Sequence, residues 1–163
     1  MEEIMRMQEH LLLIRRAVGW TAEEFGERIG VTRQTINNIE SGRNKLTKTQ
    51  YIAMRSVLDA EIAQEPEDTE MLKVLLDVLI DHPESYSDDK RKELLEKANL
   101  MAPSILAGAS SRANVSNEWM KTAIAVLGTS LVAGGMGIGV GIGAISSWLA
   151  KTVSGTKKKS KRG

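Results

Sequence analysis

The chain has 163 residues, a formal net charge of +1 and 42% hydrophobic residues. This length can hold one ordinary domain with appendages or two very small domains. It contains no cysteine, which excludes disulfide bonds, thiolate metal sites and a cysteine nucleophile. The two histidines, His10 and His82, are far apart and have no neighbour at metal-ligand spacing. We therefore expect no enzymatic activity, no catalytic residues, no metal or other cofactor, and no small-molecule substrate.

Charge is distributed unevenly along the chain. Residues 1–65 carry nine basic and ten acidic residues, residues 66–113 carry six and ten, and residues 151–163 carry six basic residues and no acid. The first ten residues lack the basic start and the apolar run of a signal peptide, so we expect the N-terminal part to stay in the cytoplasm, where it is made.

Helix-start signals dominate residues 1–65. Thr21 followed by Glu24, and Thr47 followed by Gln50, have the spacing of a capping box, and Thr32 is a good N-cap before Arg33. Three starts within 27 residues predict short helices with tight connections. Because the chain shows no run of alternating β-branched residues, we predict an all-α fold.

The apolar positions and glycines of this region have the spacing of a helix-turn-helix. Phe25 and Ile29 in one short helix are matched by Ile36 and Ile39 in the next. Gly26 stands where a side chain would hold two crossing helices apart, and Gly30 stands where a sharp turn needs positive φ.

The run WTAEEFGERIGVTRQTINNIESGRNKLT resembles the Cro/repressor family (lambda-repressor-like, or XRE-type) of bacterial and phage regulators. The resemblance covers residues 8–62 and includes the ending Ile39-Glu40-Ser41-Gly42-Arg43. It implies that Arg15 pairs with Glu40 as a structural brace and that the second motif helix reads base edges of double-stranded DNA. The implied base-contacting residues are Arg33, Gln34 and Asn38, with Thr32, Thr35 and Asn37 beside them.

The residues implied to contact the DNA backbone follow the second motif helix: Ser41, Arg43, Asn44, Lys45 and Lys48. These contacts would fix position without reading sequence. The sequence departs from the family at Ala22, where a phosphate-binding glutamine is common. The alternative interpretation is a degenerate motif that serves only protein contacts.

Residues 66–101 are predicted to form a helical hairpin around His82-Pro83. The stretch 69–81 has Leu72, Leu75 and Leu79 on one stripe, widened by further apolar residues, and 87–101 has a narrower face. This is more apolar surface than one helix pair can hide. The hairpin either dimerises, as expected for a protein that binds two half-sites, or completes the core of the first domain; we favour a homodimer or higher oligomer.

A small polar stretch, 102–118, is predicted to be a linker before an apolar, glycine-rich segment at 119–150. From Thr122 to Ala150 there are 29 consecutive uncharged residues, long enough as one helix to cross a bilayer. The features that favour membrane insertion or self-association are bracketing tryptophans and a glycine every fourth residue: Trp119, Gly135, Gly139, Gly143 and Trp148.

Two observations oppose a simple spanning helix. Seven of the sixteen residues from Gly128 to Gly143 are glycine, and a single crossing would export the basic tail at 151–163 against the positive-inside tendency. A shallow hairpin, or a soluble assembly through the glycine stripe, are the alternatives. The tail itself could contact anionic lipid, DNA phosphates or only solvent.

We therefore expect a dimeric transcriptional regulator whose cytoplasmic DNA-binding part is tethered to the inner membrane through residues 119–150. One alternative is a membrane-acting effector of the defence or toxin type, in which the glycine-rich segment oligomerises and the helix-turn-helix acts as sensor or autoregulator. Another is a scaffold that self-assembles without lipid. A nucleotide site is not predicted, because the glycine run from Gly135 to Gly143 follows no strand.

Overall fold

The computed structural model describes residues 1–107 and 111–128, and within them every regular element is helical, which confirms the all-α expectation for this part of the chain. The α-helices are, in chain order, α1 Glu2–Val18, α2 Ala22–Ile29, α3 Arg33–Glu40, α4 Lys48–Gln64, α5 Glu70–Leu75, α6 Asp88–Met101, α7 Pro103–Leu106 and α8 Arg112–Leu127. A π-helical turn, Leu76–Asp81, continues α5, and a 3-10 turn, Pro83–Ser85, precedes α6.

The predicted helix starts are present. The hydroxyls of Thr21 and Thr47 accept hydrogen bonds from the amides of Glu24 and Gln50, whose side chains bond back to the threonine amides. The Thr32 hydroxyl accepts from the Thr35 amide at 3.1 Å. Each cap satisfies backbone donors that the first turn of a helix leaves without partners, so the three helix starts are fixed by residues three apart in sequence.

The turn between α2 and α3 depends on two glycines for different reasons. Gly30 has φ +78° with open space around it, so its requirement is conformational. A Cβ on Gly26 would lie 2.6 Å from the carbonyl oxygen of Val31, so its requirement is steric. The close neighbour of Gly26 is thus the backbone of the turn itself, where the sequence suggested a crossing helix.

One hydrophobic core extends through all the described helices. It includes Leu11, Phe25 and Ile36 of the first three helices, together with Leu72 of α5 and Trp119 of α8, all fully buried. Helix α1 packs against α3 and α4 and also against α5, its π-helical continuation and α7. Residues beyond 65 therefore complete the same core as the first four helices.

The helical hairpin predicted for residues 66–101 is replaced by a different arrangement. Helix α8 packs against both α5 and α6, and its contacts with each are more extensive than theirs with one another. The apolar residues whose excess suggested dimerisation are buried inside this chain: Met71, Leu72, Val74, Leu75, Leu76, Val78 and Leu79. This apolar surface, whose extent suggested a dimerisation element, is covered by α1 and α8.

Within the range predicted as a linker, 102–118, the described residues include α7 at Pro103–Leu106 and the first part of α8 from Arg112. Trp119 is fully buried in the core, so its assignment to a membrane interface is wrong. Met120, Ala123 and Leu127 are buried beside it. An apolar stripe at helical spacing suits a protein core or a bilayer equally, and here the partner surface is α5 and α6.

Among the described helices, none is both long enough and apolar enough to span a bilayer. The predictions for Gly135, Gly139, Gly143, Trp148 and the basic tail concern residues outside the described ranges.

Candidate nucleic-acid interface

Helix α3 presents one face to solvent and one to the core. Ile36 and Ile39 are fully buried, whereas Thr32, Arg33 and Gln34 are exposed at its start. The other base-contacting candidates, Thr35, Asn37 and Asn38, are partly buried along the helix. The six residues implied by the family resemblance therefore share one short, capped helix that is anchored from behind.

Two of these candidates are bonded to each other. The side-chain amide of Gln34 donates a 2.9 Å hydrogen bond to the Oδ1 of Asn38, one helical turn later. The bond holds both amide groups in a fixed relation and still leaves the Gln34 oxygen and the Asn38 NH₂ for an outside partner. An acceptor beside a donor is the arrangement that matches N6 and N7 of adenine in the major groove.

The loop that follows α3 is held by Gln8 of α1. The Gln8 side-chain amide donates to the carbonyls of Ile39 (3.0 Å) and Asn44 (2.7 Å), and its oxygen accepts from the amide of Leu46 (3.0 Å). All five residues implied to contact the DNA backbone, namely Ser41, Arg43, Asn44, Lys45 and Lys48, are exposed in this loop and at the start of α4. One side chain from α1 thus fixes the segment that carries most of the exposed positive charge near α3.

The predicted brace between Arg15 and Glu40 is present. Nε and Nη2 of Arg15 donate to the two carboxylate oxygens of Glu40 at 2.5 and 3.2 Å, and Nη1 donates to the carbonyl of Trp20 at 3.0 Å. Both side chains are about nine-tenths buried. Arg15 therefore joins the C-terminus of α3 to the turn between α1 and α2.

The remaining basic residue of the motif region is committed elsewhere. Arg55 donates to both oxygens of Asp81 at 2.6 and 3.1 Å, so it ties α4 to the π-helical turn. The only acid between Thr32 and Arg55 is Glu40, which Arg15 neutralises. The exposed charge of the loop and α3 is thus contributed by Arg33, Arg43, Lys45 and Lys48.

Residues 11–63 match the family model described as helix-turn-helix. This part of the chain is similar to helix-turn-helix domains of the XRE type, the group that includes those of the lambda repressor and Cro. Such domains are DNA-binding regulatory domains, and the match covers about a third of the chain. No curated protein and no solved structure showed significant similarity to the chain.

Sequence reasoning missed Gln8. Its signal was present, since Gln8, Leu11 and Arg15 are spaced 0, 3 and 7 and so lie on one face of α1. Leu11 is buried and Arg15 points to α3, so a polar residue three positions before Leu11 had to meet the same partner. Its contacts with the loop could be found only after α3 and α1 were packed together.

Proposed function

We propose that the protein is a sequence-specific transcriptional regulator that lays α3 in the major groove of DNA. Arg33, Gln34 and Asn38 would contact base edges, with Thr32, Thr35 and Asn37 alongside. The observation that carries this proposal is the Gln34–Asn38 hydrogen bond on a helix whose opposite face is anchored in the core. A pre-oriented amide pair loses little side-chain entropy on binding, which favours discrimination over general attraction.

The loop after α3 would supply the contacts that set register on the duplex. Lys45, Lys48 and Arg43 carry charge for phosphates, and Ser41 and Asn44 carry hydrogen-bonding groups. Because Gln8 holds this loop against α1, phosphate contacts and base contacts would be made by one rigid surface. We expect two copies to occupy two half-sites about one helical turn apart, as is general for this motif.

The test is selection of bound sequences from a random duplex pool by the full chain, followed by affinity measurements at fixed salt. We expect an enriched palindromic sequence bound at least about a thousandfold more tightly than random duplex. Equal affinity for the selected and random duplexes would contradict sequence-specific regulation and would favour the degenerate-motif alternative.

We further propose that the uncharged segment attaches the regulator to a membrane, with its limits revised by the position of α8. The helix is part of the core through Leu127, which leaves 22 uncharged residues at 129–150. In helical form these would extend about 33 Å, close to the roughly 30 Å of a hydrocarbon core.

Cell fractionation of the full chain against a chain ending at Gly128 tests the attachment. We expect the full chain in the membrane fraction and the shorter one in the soluble fraction. Identical fractionation would contradict membrane attachment. Expression of residues 129–163 alone then separates a tether, which leaves cells polarised, from a membrane-acting effector, which depolarises them.

A further inference from the structure

The first turn of α8 contacts the helix-turn-helix domain at a point far from the DNA-reading helix in sequence. Nη1 of Arg112 donates to the carbonyl of Val18, at the end of α1, at 3.1 Å and to the Glu61 carboxylate, in α4, at 2.8 Å. Its Nη2 also lies 3.7 Å from a carboxylate oxygen of Asp68. The guanidinium is about four-fifths buried, so these contacts are shielded from solvent and are worth more than a surface ion pair.

The turn that Arg112 contacts is the one that Arg15 uses. Arg15 bonds the carbonyl of Trp20, and Arg112 bonds the carbonyl of Val18, on either side of Gly19. Gly19 has φ +83°, and a Cβ there would lie 3.0 Å from Ile105 and 3.8 Å from the Arg112 side chain. The turn is therefore in close contact with α7 through Ile105 and with α8 through Arg112.

The same turn is connected to both ends of α3. It leads directly into the capping box at Thr21 and hence into α2, which packs extensively on α3. Through Arg15 it is also linked to Glu40 at the end of α3. A displacement of the turn would move α3 at both ends, through α2 at its start and through Arg15 at its finish.

We propose that Arg112, outside the matched helix-turn-helix region, is a positioning residue for DNA reading. It fixes the turn between α1 and α2 against α4, and thereby sets the orientation of α3. This inference rests on the proposed function. It goes beyond it by placing a determinant of DNA selectivity in the helix that leads to the C-terminal segment.

Three full-length variants test the proposal on the duplex selected by the wild-type chain. Arg112→Ala removes all the contacts, Arg112→Lys keeps the charge with a single donor group, and Lys121→Ala is a matched control. Lys121 lies on α8 and pairs only locally with Glu118, with both side chains about two-thirds exposed. Folding of each variant is checked by circular dichroism and thermal melting before binding is measured.

We expect Arg112→Ala to weaken binding to the selected duplex tenfold or more, while affinity for random duplex and the salt dependence change less than twofold. Arg112→Lys should recover part of the loss, and Lys121→Ala should bind as the wild type. A merely stabilising residue would lower the melting temperature and leave the ratio of selected to random affinity unchanged. That result, in variants folded at the assay temperature, would overturn the proposal.

Amide hydrogen exchange measured without DNA tests the positioning role independently of the proposed function. In Arg112→Lys, which retains the charge, the amides of Trp20 and of α3 should exchange faster, and those in the middle of α6 should not. Unchanged exchange in α3 would also overturn the positioning role. Failure of the wild-type chain to select any sequence would instead contradict the proposed function.

Discussion

The phenol of Tyr86 donates a 2.6 Å hydrogen bond to the carboxylate of Asp77, which is buried in the π-helical turn after α5. The other oxygen of that carboxylate lies 2.9 Å from Nδ1 of His82. The backbone amide of His82 closes the π-helical turn on the Asp77 carbonyl at 2.8 Å. These residues fix the connection between α5 and α6, the two helices that pack against α8.

Stability at alkaline pH should depend on Tyr86. Burial, the hydrogen bond to Asp77 and the charge of Asp77 raise the pKa of Tyr86 above its ordinary value. The unfolded chain therefore loses this proton first, so the stabilising contribution is complete below about pH 10 and declines as pH rises beyond it. Urea unfolding of Tyr86→Phe between pH 7 and 11 should show lower stability at pH 7 and a shallower alkaline decrease. An unchanged alkaline decrease would contradict this account.

The brace between α1 and α3 should be costly to break from one side. Glu40→Ala leaves the Arg15 guanidinium buried without its carboxylate, so we expect a loss of about 3–5 kcal/mol in the free energy of unfolding. Denaturant titration measures it. The matched control is Asp88→Ala, which breaks the exposed Arg91–Asp88 pair on α6 and should cost less than about 1 kcal/mol. Equal losses would show that the brace is not buried in solution.

The two glycines of the α2–α3 turn should respond differently to alanine. Gly30→Ala meets only the backbone penalty of positive φ and should cost roughly 1 kcal/mol. Gly26→Ala places a methyl group 2.6 Å from a backbone oxygen, which cannot move without displacing the start of α3, and should cost more. Thermal melting of both variants gives the order, and the reverse order would contradict the steric explanation.

Trp119 should be a core residue in solution. Trp119→Ala removes a fully buried side chain between α8 and its neighbours, so we expect a loss of about 3–5 kcal/mol. Leu100→Ala, at a side chain 82% exposed, should change stability by less than about 0.5 kcal/mol. Chemical denaturation of both variants makes the comparison. A wild-type stability for Trp119→Ala would contradict burial of this residue in the core.

Base reading and backbone contact should separate in two variants. Arg33→Ala should cost about 1–3 kcal/mol on the selected duplex and relax base preference at one position. Lys45→Ala should weaken binding to every sequence alike and lower the salt slope by about one. Titrations at several salt concentrations on selected, singly substituted and random duplexes distinguish them. If Arg33→Ala weakens all duplexes equally, Arg33 contacts phosphate and not base.

Local features of the helix-turn-helix domain could be predicted because their causes are close together in sequence. A cap such as Thr21 with Glu24 joins residues three apart, and the positive φ of Gly30 is a property of the backbone at one position. The Arg15–Glu40 pair spans 25 residues and was found through the family resemblance. Its two partners lie within the family match, where the packing of α1 on α3 is part of the motif.

Tertiary structure decided what the apolar stripes outside that domain face. The hydrophobic effect is nondirectional. The spacing of the apolar residues in 69–81 or in α8 therefore indicates that one helix face is buried, but it does not indicate which element buries it. Leu72 of α5 and Trp119 of α8 are buried where these two helices pack together, although α6 and α7 separate them in sequence. Neither residue could be assigned to a core before that packing was known. Gln8 likewise acquires its partners only when α1 packs on α3 and the loop after it, and Arg112 only when α8 packs on α1 and α4.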